Sequence, residues 1–127
     1  MAVNAQDLKD FQWKNRLILV IAENKENQNF QKQLAELQKN QTGLSERKLI
    51  IYKILPDKFS LGLESETWKK DSKLYQKYKT NDSDFQVLLL GLDGGIKLDQ
   101  SEILSLKKLF DTIDSMPMRH SEMRKNR

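Results

Sequence analysis

Leu17-Ile18-Leu19-Val20-Ile21-Ala22 is an unbroken apolar run rich in branched residues. It is too short for a typical helix and suits a strand covered on both faces. Downstream, Phe30, Leu34 and Leu37, with Leu44 as a further candidate, recur at helical spacing through a background of Gln, Lys and Glu. Asn24 or Asn27 offers a cap and Gly43 a stop, so the spacing predicts one amphipathic helix. Leu49 to Leu55 repeats the buried-strand signature, and Pro56 ends it because proline cannot donate to a ladder. Strand, helix, strand is a βαβ unit, expected to be parallel and right-handed.

Residues Asp57 to Ser65 have no clear period, after which Trp68, Lys70, Asp71, Leu74, Tyr75 and Tyr78 trace a patchy helical stripe. A short second helix is expected there. Phe85 to Leu90 is a third apolar strand, Asp93-Gly94-Gly95 suits a tight reversal, and Ile96 to Leu98 returns as a short partner. Asp99 with Glu102 resembles a capping box, and Ile103, Leu106, Phe110 and Ile113 form one helical face up to Met116-Pro117. The order β-α-β-α-β-β-α defines the expected fold class: α/β, a thioredoxin-like three-layer sandwich with a mixed central sheet. No repeat or linker divides the chain, so residues 1–127 read as one domain with a basic C-terminal tail from about residue 119.

Composition mainly subtracts chemistries. A chain of 127 residues can bury a sizeable core without a covalent staple. It contains no cysteine, which excludes disulfides, cysteine-ligated zinc, thiolate nucleophiles and dithiol redox cycles. The net charge of +4 is concentrated at the end: Arg119, Arg124, Lys125 and Arg127 against Glu122 leave a surplus of +3. A frayed basic tail is the expected explanation. The longest apolar run, Leu17 to Ala22, is far short of a membrane span. Met1 to Asp10 lacks the basic-then-apolar pattern of a signal peptide, so an exported or periplasmic setting would require a leader removed ahead of this sequence.

In a thioredoxin-like domain the reactive cysteine sits where the first strand meets the first helix, and here that corner reads Ala22-Glu23-Asn24-Lys25-Glu26. Thr80 to Asp84, ahead of the third strand, also lacks the proline such enzymes place opposite the cysteine. Glu23 reads as a solvated helix-start carboxylate. Asp82-Ser83-Asp84 and Glu64-Ser65-Glu66 read as loop residues, with no metal site or cofactor expected, and His120 as an exposed tail residue. Lys69, Lys70, Lys73, Lys77 and Lys79 interleave with aromatics, but five acids between Glu64 and Asp84 offset them, so nucleic acid is not the expected partner. Gly91 to Gly95 lacks the spacing of a phosphate loop.

Trp13-Lys14-Asn15-Arg16, the turn Gly91 to Lys97, and Ile113 to Arg119 followed by Glu122-Met123 carry a resemblance. From about Leu8 to Arg124 the chain resembles a bacterial family of unknown function. That family is related to the DUDES-type domains of sushi-repeat-containing and coiled-coil-domain-containing animal proteins. Asp93, Gly94 and Lys97 match its turn, whereas Leu92 stands where the pattern has lysine. The resemblance implies a peroxiredoxin-related fold without established activity, in an exported or matrix-facing setting.

These positions also have a physical reading. Trp13 is expected to plug the sheet end and Arg16 to be held by a carboxylate. Asp114, Met116, Pro117 and Met118 are expected to form a latch, both methionines capping the core while Arg119 reaches Asp114 or Asp111. The competing reading makes Trp13, Arg16, Asp93, Lys97 and Arg119 a recognition surface for a protein partner. The expected function is a non-catalytic binding or scaffold module. The alternatives are a cysteine-free enzyme or cation binder using Glu23 and its acidic neighbours, and an anionic-polymer binder using the tail.

Overall fold

The computed structural model describes residues 8–125. The first strand, β1 (Arg16–Ala22), runs parallel to β2 (Leu49–Leu55) and antiparallel to β5 (Phe85–Leu90), which β6 (Ile96–Gln100) joins from outside. On the other side, β3 (Lys58–Leu61) and β4 (Lys69–Lys70) extend the sheet, giving the order β4-β3-β2-β1-β5-β6.

Every residue of β1 and β5 is buried, because both faces of the sheet are covered. Alternation assigns the side chains. Ile18, Val20 and Ala22 join Val87 and Leu89 in a core with residues of α1 (Gln28–Gln38), α2 (Gln41–Glu46) and α4 (Leu106–Asp114). Leu17, Leu19 and Ile21 join Leu88 and Leu90 in a second core with α3 (Lys73–Tyr78) and the 3-10 turn Leu8–Phe11. Each large aliphatic side chain so placed contributes about 1.5–3 kcal/mol, which makes β1 the anchor of the sandwich.

Several expectations are corrected. The helix projected from Phe30 toward Leu44 is two helices. α1 is capped by Asn27, whose Oδ1 accepts from Phe30 N at 2.9 Å; α2 starts afresh at Asn40, whose Oδ1 accepts from Gly43 N at 2.8 Å. Gly43 is therefore a contact and not a stop, since a Cβ there would come within 2.8 Å of the Phe110 ring.

The featureless stretch from Asp57 contains β3, folded back on β2 through Pro56-Asp57, and the helix expected from Trp68 begins only at Lys73. Trp68 instead packs on the first core from a connection, with the ammonium groups of Lys53 and Lys58 at 5.4 and 5.3 Å from its ring. Asp99 does not cap a helix. It lies in β6 and accepts from Gln86 Nε2 at 2.8 Å, while the Ser105 hydroxyl oxygen caps α4 by accepting from Lys108 N at 3.1 Å.

The last correction concerns the tail, where a fifth helix, α5 (Pro117–Lys125), replaces the expected fraying up to Lys125. Proline is well placed as its first residue, where a missing N–H is harmless. Arg127 lies outside the described residues. No helix among the described residues is long and apolar enough to cross a membrane.

One buried polar contact fastens the connection between β6 and α4. Gln33 accepts from Leu104 N at 2.7 Å and donates to Leu104 O at 2.9 Å, and both residues are 0 % exposed. A single amide side chain thereby satisfies both backbone groups of a residue that no ladder reaches.

Candidate functional site

The sheet has two ends, and chemistry is expected at the one where β1 hands over to α1. There Glu23, Asn24, Lys25 and Glu26 are all exposed beside a shallow depression of about 480 Å3 shared with Leu55 to Lys58. Asn27 is occupied as the helix cap, and Glu23 N donates to Asp84 O at 3.2 Å. The segment before β5 is organised by buried Gln86, whose Oε1 accepts from Thr80 N and whose Nε2 donates to Thr80 and Asp99. These side chains hold loops together. Among the described residues, no group of three or more His, Asp or Glu is placed to hold a metal ion.

The opposite end is different. Leu17 pairs with Leu90, so the turn from Gly91 to Gly95 lies beside the chain entering β1. Trp13 N donates to Leu92 O at 2.6 Å and Gln12 Nε2 to Asp93 O at 2.9 Å, binding the two segments together. Trp13 does not plug the sheet: its side chain is 60 % exposed and its φ is 68°. Lys48, at the end of α2, is also left-handed at φ 59°, and its carbonyl accepts from Asn15 Nδ2 and Arg16 N. Left-handed backbone costs a non-glycine residue about 1–2 kcal/mol. Among the described residues, both left-handed non-glycine positions fall at this end.

Asp93 accepts from Gly95 N at 2.9 Å and pairs with Lys97 at 3.1 Å. The backbone hydrogen bond, then the lysine, hold its carboxyl below the usual range. The two charges therefore neutralise each other on the turn. A cavity of about 250 Å3 opens behind it, between Leu8, Phe11, Tyr78 and Gly94.

Arg16 is 1 % exposed at the start of β1 and donates through Nη1 to Arg47 O at 3.0 Å and Glu122 Oε1 at 3.2 Å. Arg119 bonds Asp114 at 3.2 Å, Glu46 O at 3.2 Å and Glu122 at 3.4 Å. Arg47 takes both oxygens of Asp114, at 3.1 and 2.9 Å, and stacks its guanidinium 3.9 Å from the Phe110 ring centroid. Arg119 is thus buried and paired, which removes it from any tail-borne polymer site. Met116 packs against the first core, but Met118 is 45 % exposed, so one methionine and not two reaches the interior. His120 is exposed on α5.

Burial alone would raise the Asp114 carboxyl, but the hydrogen bonds from Arg47 and Arg119 prevail and hold it below its ordinary 3.8. An unfolded chain then takes up this proton before the folded one, so stability falls as pH drops below about 4. In urea melts from pH 6 to pH 2.5, Asp114→Asn is expected to differ from the parent by a constant amount above about pH 5 and to converge with it in acid. A gap that persists to pH 2.5 would remove the carboxylate from the account.

The residues that complete the cluster, Arg47 and Glu122, carry no local signal marking them as members. Arg47 closes α2, and only the packing of α4 and α5 brings Asp114 and Glu122 to it and to Arg16.

The architecture and the sulfur-free corner define a thioredoxin-like domain without the thiol. The chain belongs to the family described as a domain of unknown function, DUF4174, which it matches over residues 7–122. Similar solved structures include the reduced 2-Cys peroxiredoxin of Plasmodium vivax, at TM-score 0.64 and 14% identity, covering 91% of this chain and 84% of that one. The mitochondrial 2-Cys peroxiredoxin of Plasmodium falciparum matches at TM-score 0.60 and 14% identity, over 91% and 82%. At that identity the likeness establishes the fold alone. Comparison with curated proteins returns no match.

Proposed function

We propose that this chain is a non-catalytic binding module that meets a protein partner with the Trp13 end of its sheet. The observation that supports the reading is Trp13 itself, a large aromatic left 60 % exposed on left-handed backbone. Nothing in folding favours tryptophan in that position, whereas tryptophan is enriched where interfaces concentrate their energy. The Asp93–Lys97 pair beside it supplies a neutral polar margin. Kinship with the DUDES-type domains and an exported or matrix-facing setting belong to the same proposal.

A photo-reactive amino acid at position 13, compared with one at position 57 on the opposite end, tests it. One defined protein adduct from position 13 and none from position 57 is the expected result. Equal labelling from both, or none from position 13, would end the proposal.

A further inference from the structure

Arg16, Arg47 and Arg119 bring three guanidinium groups together against two carboxylates, Asp114 and Glu122. The arginine side chains are only 1, 13 and 8 % exposed. At the margin, Glu46 lies 4.0 Å from Arg47 and Lys48 3.9 Å from Glu122; both are more than half exposed, and their opposite charges leave the sum unchanged. The central set therefore carries one positive charge in excess where an uncompensated charge is strongly disfavoured.

Arg47 demonstrates how such a group is satisfied here: its Nε and Nη2 edge faces both oxygens of Asp114. Arg16 has the same edge, yet its Nε and Nη2 are buried without a hydrogen-bond partner among the described residues. Glu122 Oε2 likewise makes no hydrogen bond among the described residues and has only the half-exposed Lys48 ammonium near it, at 3.9 Å. A bare guanidinium edge presents two parallel N–H groups at the spacing of two oxygens on one carbon or phosphorus.

We infer that Arg16, with Arg47 and Arg119 beside it, binds a small oxyanion carrying two adjacent oxygens, a carboxylate or a phosphate. Helix α5 covers the site, and Glu122 is its tethered competitor. The helix suits that part because Arg119 is its one buried side chain among those described. It is held mainly by ion pairs, with no apolar stripe for it to lay on the core. A helix fastened in this way can yield to a competing anion. The inference stands apart from docking at Trp13, since cross-linking and anion titration fail independently.

The test titrates sodium phosphate and, separately, sodium acetate into the full chain at constant ionic strength set with sodium chloride. The readouts are the Arg16 Nε–H NMR signal and the melting temperature. Saturable movement of that signal and a melting rise beyond the chloride control are expected. A response to phosphate alone assigns the phosphate source, and a response to acetate assigns the carboxylate. Glu122→Gln, which removes the competing charge, is expected to tighten binding about tenfold. Arg16→Lys keeps the charge but has no two-nitrogen edge, and should lose the saturable response. Should that variant not fold, the wild-type Nε signal still decides: an unmoved signal, or one that follows chloride equally, overturns the inference.

Discussion

Replacing Gln33 with methionine is expected to cost about 4 kcal/mol and to lower the melting temperature by more than about 10 °C, although the two side chains are close in size. The reason lies in Leu104. Its N–H and C=O are both bonded to the Gln33 amide, at 2.7 and 2.9 Å, and neither residue is exposed, so water cannot take over. Each group left without a partner carries a penalty of about 1–3 kcal/mol. Gln100 supplies the internal control. It also donates twice to this connection, to Glu102 O at 3.0 Å and Ile103 O at 3.1 Å, but from a partly exposed position. Gln100→Ala should therefore cost under about 1 kcal/mol, because solvent replaces what is lost. Equal losses in chemical denaturation would show that burial is not what separates the two glutamines.

The elements legible in advance are those whose cause is local. β1, β2 and β5 are apolar runs covered on both faces, and the Asp93-Gly94-Gly95 reversal states its own geometry, with Gly94 at φ 84°. The misread elements are decided at a distance. Gly43 sits inside α2 because the Phe110 ring of α4 rests on it, and Asp99 is drawn into β6 by the buried amide of Gln86. β3 offers four residues, Lys58-Phe59-Ser60-Leu61, too few for alternation to be read without its partner β2. At the candidate site, Trp13, Arg16 and Arg119 were visible as unusual side chains near element ends. Their contrasting fates, one outside and two buried, follow from where α5 lies, and α5 itself has no amphipathic pattern to betray it.

Glu122→Ala should be the most damaging single change on α5, costing about 3–5 kcal/mol, because it removes the only carboxylate, among the described residues, bonded to a guanidinium that is 1 % exposed. Arg16→Met is expected to cost less, under about 2 kcal/mol. The aliphatic replacement has no charge to solvate, and Glu122 keeps Arg119 at 3.4 Å. The double variant should then be no less stable than Arg16→Met alone, since the deletion of Glu122 no longer leaves Arg16 stranded. That asymmetry separates an ion pair that adds net stability from one that commits the chain to a particular arrangement. In the first case the double variant stays below the parent by what the pair contributes; in the second it stands close to the parent, and the large loss is confined to the variant that leaves a buried cation alone. Urea midpoints in chloride buffer measure it, with phosphate and acetate omitted so that no oxyanion substitutes for the missing carboxylate. Hydrogen exchange locates it: amides of α5 should lose protection in Glu122→Ala while those of β1 and β5 keep theirs. A Glu122→Ala loss below about 1 kcal/mol would mean that water reaches Arg16, and that α5 is not its cover.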